Sequence, residues 1–178
     1  MRPIQTYTGL SIDPRHLRPC EVCITDIAHA LSMLCRYTGH VAEFYSVAEH
    51  CVHVSNIVPQ AVALSGLLHD ASEAYIGDVA GPLKGTGVYT AYRHMERDVQ
   101  RTILAVYKLP LVQPAEVTYA DHYMIWPEVR SIMNPGAECW ERYNFPWDGP
   151  TVQIERWLPA RAESEFIRRF NELWDSTL

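Results

Sequence analysis

The sequence predicts one mostly α-helical domain carrying a short extended N-terminal arm. Three observations point that way. Apolar residues return at i, i+3 or i+4, and i+7 through most of the chain, the period of a helix with one buried face. Prolines and glycines gather ahead of residue 25 and between the periodic stretches, where they act as punctuation. The chain of 178 residues, 48% hydrophobic and 20% charged, is long and apolar enough to bury a core without disulfides.

Residues 1–24 carry Pro3, Gly9, Pro14 and Pro19 between short apolar stretches and read as an extended arm with room for one small hairpin. Ile27, Leu31 and Leu34 then define a first helix behind Thr25 as its N-cap, with Gly39 as its end. Phe44, Val47, Ala48, Cys51, Val52 and Ser55 line a second, stopped by Pro59. Ala61 to about Ile76 reads as one continuous helix, apolar nearly all round and therefore buried, with Gly77 as its stop. A loop over 78–90 follows. Met95, Val99, Ile103 and Val106 mark a fourth helix ending near Leu109-Pro110. Pro114 opens a fifth, through Val117, Asp121, Met124, Ile125 and Arg130, which Pro127 is expected to kink. Residues 134–158 look irregular, and Phe166, Phe170, Leu173 and Trp174 give a last amphipathic helix. With no repeat and no linker, residues 1–178 form a single domain.

Several classes drop out. No apolar run approaches the roughly 20 residues of a membrane span, and the first residues lack an apolar signal-peptide core, so a cytoplasmic protein is expected. A net charge of −6 argues against a general nucleic-acid binder. It leaves room for a small anion held by a few placed cations. Of the two lysines, Lys84 sits in the glycine-flanked stretch Gly81-Pro82-Leu83-Lys84-Gly85, read as a loop. Five cysteines, at 20, 23, 35, 51 and 139, are an odd number and read as reduced thiols. Cys20 and Cys23 form a lone CxxC without a second metal-binding pair at the right spacing, and read as small buried residues.

The chemistry gathers around His69-Asp70. An ionised Asp is almost never buried unless it is paired or binds a metal, yet this dipeptide lies in the most apolar helix expected. A buried His–Asp hydrogen bond would account for it alone. His50, mid-way along the preceding helix, and Asp121, on the fifth, enlarge the set to two imidazoles and two carboxylates. That donor set suits Zn²⁺, Mn²⁺, Co²⁺ or Fe²⁺. Glu73 follows His69 by four and Asp70 by three, one helical turn along, as a general base or acid beside the ion. Asp78, just past Gly77, is placed to cap the next segment or align a water.

The stretches Asp26-Ile27-Ala28-His29-Ala30-Leu31-Ser32, Cys35-Arg36-Tyr37-Thr38-Gly39-His40 and Phe44-Tyr45-Ser46-Val47-Ala48-Glu49-His50 resemble the HD-domain metal phosphohydrolases. So does Leu68-His69-Asp70-Ala71-Ser72-Glu73-Ala74-Tyr75-Ile76-Gly77-Asp78, with Pro82-Leu83-Lys84 after it. More narrowly, the chain is similar to a small phage-type branch allied to the bacterial 5′-deoxynucleotidases. That branch includes the dATP triphosphohydrolase of phages that replace adenine with 2-aminoadenine. The resemblance implies an all-α HD-type bundle. It implies His50, His69, Asp70 and Asp121 as ligands of a divalent transition metal (Zn²⁺, Co²⁺ or Mn²⁺), with Glu73 and Asp78 as acid/base candidates. Arg36 and Lys84 would hold phosphate and Tyr37 would lie near the sugar or base, where deoxynucleotidase relatives often carry Trp. The implied activity is hydrolysis of dATP to deoxyadenosine and triphosphate, depleting dATP during phage 2-aminoadenine DNA synthesis, with a 5′-deoxynucleotidase as the alternative. The implied partner is a small deoxynucleotide, with neither nucleic acid nor membrane, in a homo-oligomer. The Glu-Asp pair of alarmone hydrolases is missing, since Ala74 follows Glu73, and only His94 lies between Asp70 and Asp121 to serve a second metal.

Overall fold

In the computed structural model, which describes residues 3–134, 140, 146 and 149–175, the arm folds into one small antiparallel hairpin. Ile4–Gln5 (β1) pairs with Ser11–Ile12 (β2), Ile4 opposite Ile12. Gly9 turns the chain at φ +90°, a left-handed conformation that favours glycine. Asp26 then pins the hairpin to the bundle, accepting from the Thr8 amide at 2.7 Å and its hydroxyl at 2.8 Å.

Eight α-helices follow among the described residues: Ile24–Met33 (α1), Val47–Ile57 (α2), Ala63–Leu67 (α3), Glu73–Ile76 (α4), Gly81–Lys84 (α5), Thr90–Val106 (α6), Ala115–Ile132 (α7) and Pro159–Asp175 (α8). The all-α reading with a short arm holds. None of these helices is long and apolar enough to cross a membrane.

Some boundaries differ from those expected. α1 begins one residue before Thr25, with Cys23 as its N-cap, so Thr25 lies inside the helix. α2 begins at Val47 because Ser46 caps it, its hydroxyl accepting from the Glu49 amide at 3.1 Å. α7 runs on through Pro127 to Ile132. Lys84 ends the short helix α5 and is not in a loop. Cys20 is exposed and Cys23 half-buried, so neither is the core residue expected; Cys51 is buried. Cys139, Pro135 and Gly136 lie outside the described residues, while 151–158 are irregular as anticipated.

The largest correction concerns 61–76, which is not one helix. It is a 3-10 turn, α3, a run of turns over 68–72, and α4. Hydrogen bonds there tighten to i→i+3: Ala71 N to Leu68 O, Glu73 N to Asp70 O, Tyr75 N to Ser72 O. Gln100 of α6 holds the break open. Its amide donates to Leu68 O at 2.7 Å and accepts from Ser72 N at 2.9 Å, giving backbone groups a partner that the helix does not supply. An apolar run carries no sign of such a tertiary bond.

α2 runs through the middle of the molecule, buried from Val47 to Ser55. It packs against α1, α3, α7 and α8. α8 closes one side with Ala162, Phe166, Phe170 and Leu173 at helical spacing. α3 approaches α2 at Gly66, where a Cβ would lie 3.2 Å from both the Ser55 Cα and the Val58 side chain. That close approach sets His50 of α2 beside His69 just beyond α3.

Candidate metal centre

Four side chains from three places in the sequence, His50, His69-Asp70 and Asp121, come together. His50 Nε2 lies 3.2 Å from His69 Nε2, 3.1 Å from Asp121 Oδ1 and 3.8 Å from Asp70 Oδ2. His69 Nε2 lies 3.1 Å from Asp70 Oδ2 and 3.7 Å from Asp121 Oδ1. Ligand atoms held about 2.1 Å from one ion sit about 3.0 Å apart at right angles and about 3.4 Å apart at tetrahedral angles. Three of the five separations, at 3.1 to 3.2 Å, fall between those values, and the two at 3.7 and 3.8 Å are wider.

The two imidazoles are also oriented for a cation. His50 Nδ1 faces the Glu128 carboxylate at 2.6 Å, and His69 Nδ1 faces the Gly66 carbonyl at 2.8 Å. Each acceptor takes the ring's Nδ1 proton, so in the neutral rings Nε2 is the lone-pair atom turned toward the other. Two facing lone pairs repel unless a proton or a cation lies between them. The surrounding fields agree. Burial works against a charged His69, yet Asp70 and the other groups around it win, and its pKa stands well above the ordinary imidazole range. Burial would raise the Asp70 carboxyl, but His69 draws it down to about 2. Asp121 is held well below the usual carboxylate range by His50 and His69 against the same penalty. This chain therefore has residues that can hold a divalent metal. His50, His69 and Asp121 form one trio able to hold an ion, and Cys51, His69 and Asp70 form an overlapping one in which burial pushes the Cys51 thiol up.

His50 and His69 are buried beneath the floor of a cavity of about 630 Å³, and Asp70 and Asp121 reach into it. Arg36, Tyr37, Glu73, Asp78 and Lys84 also line this cavity, so every sequence-predicted site residue is brought to one place. Their roles differ in detail from expectation. Glu73 reaches the cavity from the first turn of α4, across the broken segment, not from one helix face shared with His69 and Asp70. Burial, with Asp70 and then Asp78 nearby, pushes its carboxyl up to about 9. Oε1 receives Lys84 at 3.4 Å, and Oε2 has no partner among the described residues. Lys84 also pairs with Glu96 at 2.6 Å. Asp78 does not cap α5, whose N-cap is Ala80.

Glu128 escaped the sequence reading. It is wholly buried on α7, seven residues after Asp121 and so on nearly the same helix face. It accepts from His50 Nδ1, Tyr45 OH at 3.0 Å, Tyr37 OH at 2.5 Å and Arg36 Nη2 at 3.2 Å. Burial would raise its carboxyl, but Arg36 and His50 bring it down to about 2. The i, i+7 spacing from a candidate ligand was a signal available in the sequence. Trp140, Ile125 and Met133 were also unassigned, and they form an apolar wall of the cavity beside Tyr37. Trp140 meets the Tyr37 ring edge-on, centroids 5.8 Å apart.

No family model matches the chain. The uncharacterized protein YfdR of Escherichia coli (strain K12) is 35% identical over 170 residues, which span 96% of this chain and 94% of YfdR. An uncharacterized protein of Rhodobacter capsulatus is 30% identical over 122 residues, 64% of this chain and 62% of its own length.

Proposed function

The chain belongs to the family of YfdR, and from its site we propose that it is a metal-dependent deoxynucleotide phosphohydrolase of the HD-domain type, acting on dATP to release deoxyadenosine and triphosphate. One observation carries the reading. Nitrogen and oxygen ligand atoms of His50, His69 and Asp121, with Asp70 beside His69, converge at a cavity whose remaining walls pair cations with an apolar, aromatic surface. Phosphate needs the first two features, and a nucleobase needs the last.

His50, His69, Asp70 and Asp121 would hold Zn²⁺, Co²⁺ or Mn²⁺. When bound, such an ion polarises a phosphoryl oxygen and acidifies water. The chain's own residues do the rest. Water attacks the α-phosphorus, and the bond to the 5′-oxygen breaks. Asp78 accepts the proton that the water gives up. Glu73, whose carboxyl burial pushes upward, hands its proton to the departing oxygen. Arg36 offsets charge growing on the phosphoryl oxygens. Lys84, lining the same cavity, meets another phosphate oxygen.

A second reading, a 5′-deoxynucleotidase, is favoured by a specific feature. Arg36 and Lys84 are both already engaged by carboxylates, Arg36 by Glu128 and Lys84 by Glu96. A monophosphate asks less of them than a triphosphate does. Incubating metal-loaded protein with each dNTP and dNMP, with nucleoside, phosphate, pyrophosphate and triphosphate resolved, decides between them. The proposal expects deoxyadenosine and intact triphosphate from dATP at the earliest times. Early dADP or dAMP sinks it, and brisk hydrolysis of dAMP with no attack on any dNTP selects the nucleotidase.

A further inference from the structure

The partners of Glu128 divide between its two oxygens. Oε1 accepts from His50 Nδ1 and Tyr45 OH; Oε2 accepts from Arg36 Nη2 and Tyr37 OH. One oxygen therefore faces the candidate metal ligand and the other faces the segment that lines the cavity. All four donors are side chains, and they come from α2, from the residues just before it, and from the turn over Arg36–Gly39. That turn is unusual in itself. Tyr37 and Thr38 stand at φ 56° and 57°, a left-handed backbone that non-glycine residues adopt at a cost. The bonds from Arg36 and Tyr37 to Oε2 tie this backbone to α7.

We propose that Glu128 is a positioning residue that couples the metal site to the Arg36–Tyr37 arm. Through Oε1 it holds His50 as the Nδ1–H tautomer, leaving Nε2 free to ligate. Through Oε2 it seats the arm at the height from which Arg36 meets an anion, with Arg36 Nη1 already 3.7 Å from Asp70. An amide in place of this carboxylate has only one oxygen. It cannot serve both pairs of donors, and if its nitrogen turns toward His50 the ring must accept there and carry its proton on Nε2, against the ion. The metal half of the inference stands on the hydrogen bonds alone; the anion half rests on the phosphohydrolase reading.

The test measures Mn²⁺ binding to metal-free protein, then inorganic phosphate binding at saturating Mn²⁺, for wild type, Glu128→Gln and Tyr45→Phe. Glu128→Gln is expected to weaken Mn²⁺ binding by about 10–100-fold, the usual effect of losing a hydrogen-bond partner behind a ligand. Phosphate affinity at saturating Mn²⁺ is expected to fall at least about fivefold, because the arm loses its seat. Tyr45→Phe removes a donor from the same oxygen without touching the His50 proton, and is expected to stay within about threefold for both. A folded Glu128→Gln protein that binds Mn²⁺ like wild type overturns the proposal and leaves the phosphohydrolase reading intact. Weakened Mn²⁺ binding with unchanged phosphate binding overturns the coupling. Wild-type protein that binds Mn²⁺ but neither binds phosphate nor hydrolyses any nucleotide overturns the anion half together with that reading. Should Glu128→Gln not fold, ¹⁵N NMR of the wild-type imidazoles decides the tautomer: protonated Nδ1 on His50 is expected, and protonated Nε2 refutes the assignment.

Discussion

Glu49 and Glu128 are both fully buried carboxylates and both attach to α2, yet they do opposite work. Glu49 lies on α2 itself, next to His50. Its oxygens accept from three successive backbone amides, Glu155 at 3.0 Å, Arg156 at 2.8 Å and Trp157 at 2.6 Å, with His53 at 3.4 Å. It clasps the irregular segment before α8 onto the core. Glu128 reaches α2 from outside and is met by side chains alone, two of which line the candidate site. Neighbouring residues on a helix point about 100° apart, so Glu49 and His50 face different sides of α2, one the clasp and the other the site. Backbone donors are fixed and cannot trade protons, so a carboxylate they surround secures the chain. Side-chain donors that can move or change tautomer make the same group part of the chemistry.

The contrast is sharpest where the site is removed outright. Asp70→Ala or His69→Ala is expected to abolish tight metal binding and turnover together, measured as metal content and dNTP hydrolysis; a fully metallated, active Asp70→Ala protein refutes the site. Glu73→Gln should keep the metal while turnover drops by about 10²–10⁴-fold, because the amide cannot exchange the proton. Near-normal turnover would mean that the departing oxygen takes its proton from a group other than Glu73.

The clasp breaks differently. Glu49→Gln leaves backbone amides competing for one oxygen, and should cost about 2–4 kcal/mol of folding stability in a denaturant titration. Mn²⁺ affinity of the folded protein should stay within about threefold, the reverse of the pattern expected at Glu128. If Glu49→Gln instead loses metal affinity, the division between clasp and site is wrong.

Acid probes the same difference. The Glu128 carboxyl is held at about 2, below its ordinary value of 4.5. A depressed acid contributes stability that is fully present above 4.5 and is lost as pH falls toward 2. Wild type should thus lose more Tm than Glu128→Gln between pH 6 and pH 3, by about 5 °C for a domain of this size. Parallel melting curves across that range would contradict this account. The smallest effect belongs to Tyr45→Phe, one of several hydrogen bonds to the Glu128 carboxylate, worth about 1.5 kcal/mol in a thermal melt.

Much of the site was legible because its residue types are costly where they lie. An Asp and a His in the most apolar stretch of the chain demand a partner, and that demand led to His50, Asp121 and Glu73. Glu128 carries the same cost, but it sits beside Pro127, and only its i, i+7 spacing from Asp121 marks the face it shares. Glu49 likewise reads as an ordinary first-turn acid, since its partners lie more than a hundred residues away.

By itself, the sequence determined the all-helical class, the hairpin arm, the positions of the long helices and the inventory of nitrogen and oxygen donors. Periodicity, punctuation and the cost of burying charge are local properties, written in neighbouring residues. Tertiary structure alone decided that 61–76 breaks into α3 and α4, that Lys84 is already paired, and that one buried carboxylate joins His50 to Arg36 and Tyr37. Each of these depends on a hydrogen bond or ion pair between segments distant in the chain. Gln100 satisfies the backbone at the break, Glu96 meets Lys84, and α7 delivers Glu128 beneath the site. Such bonds form only after the helices pack, because the packing brings the partners within reach and removes the water that would otherwise satisfy them.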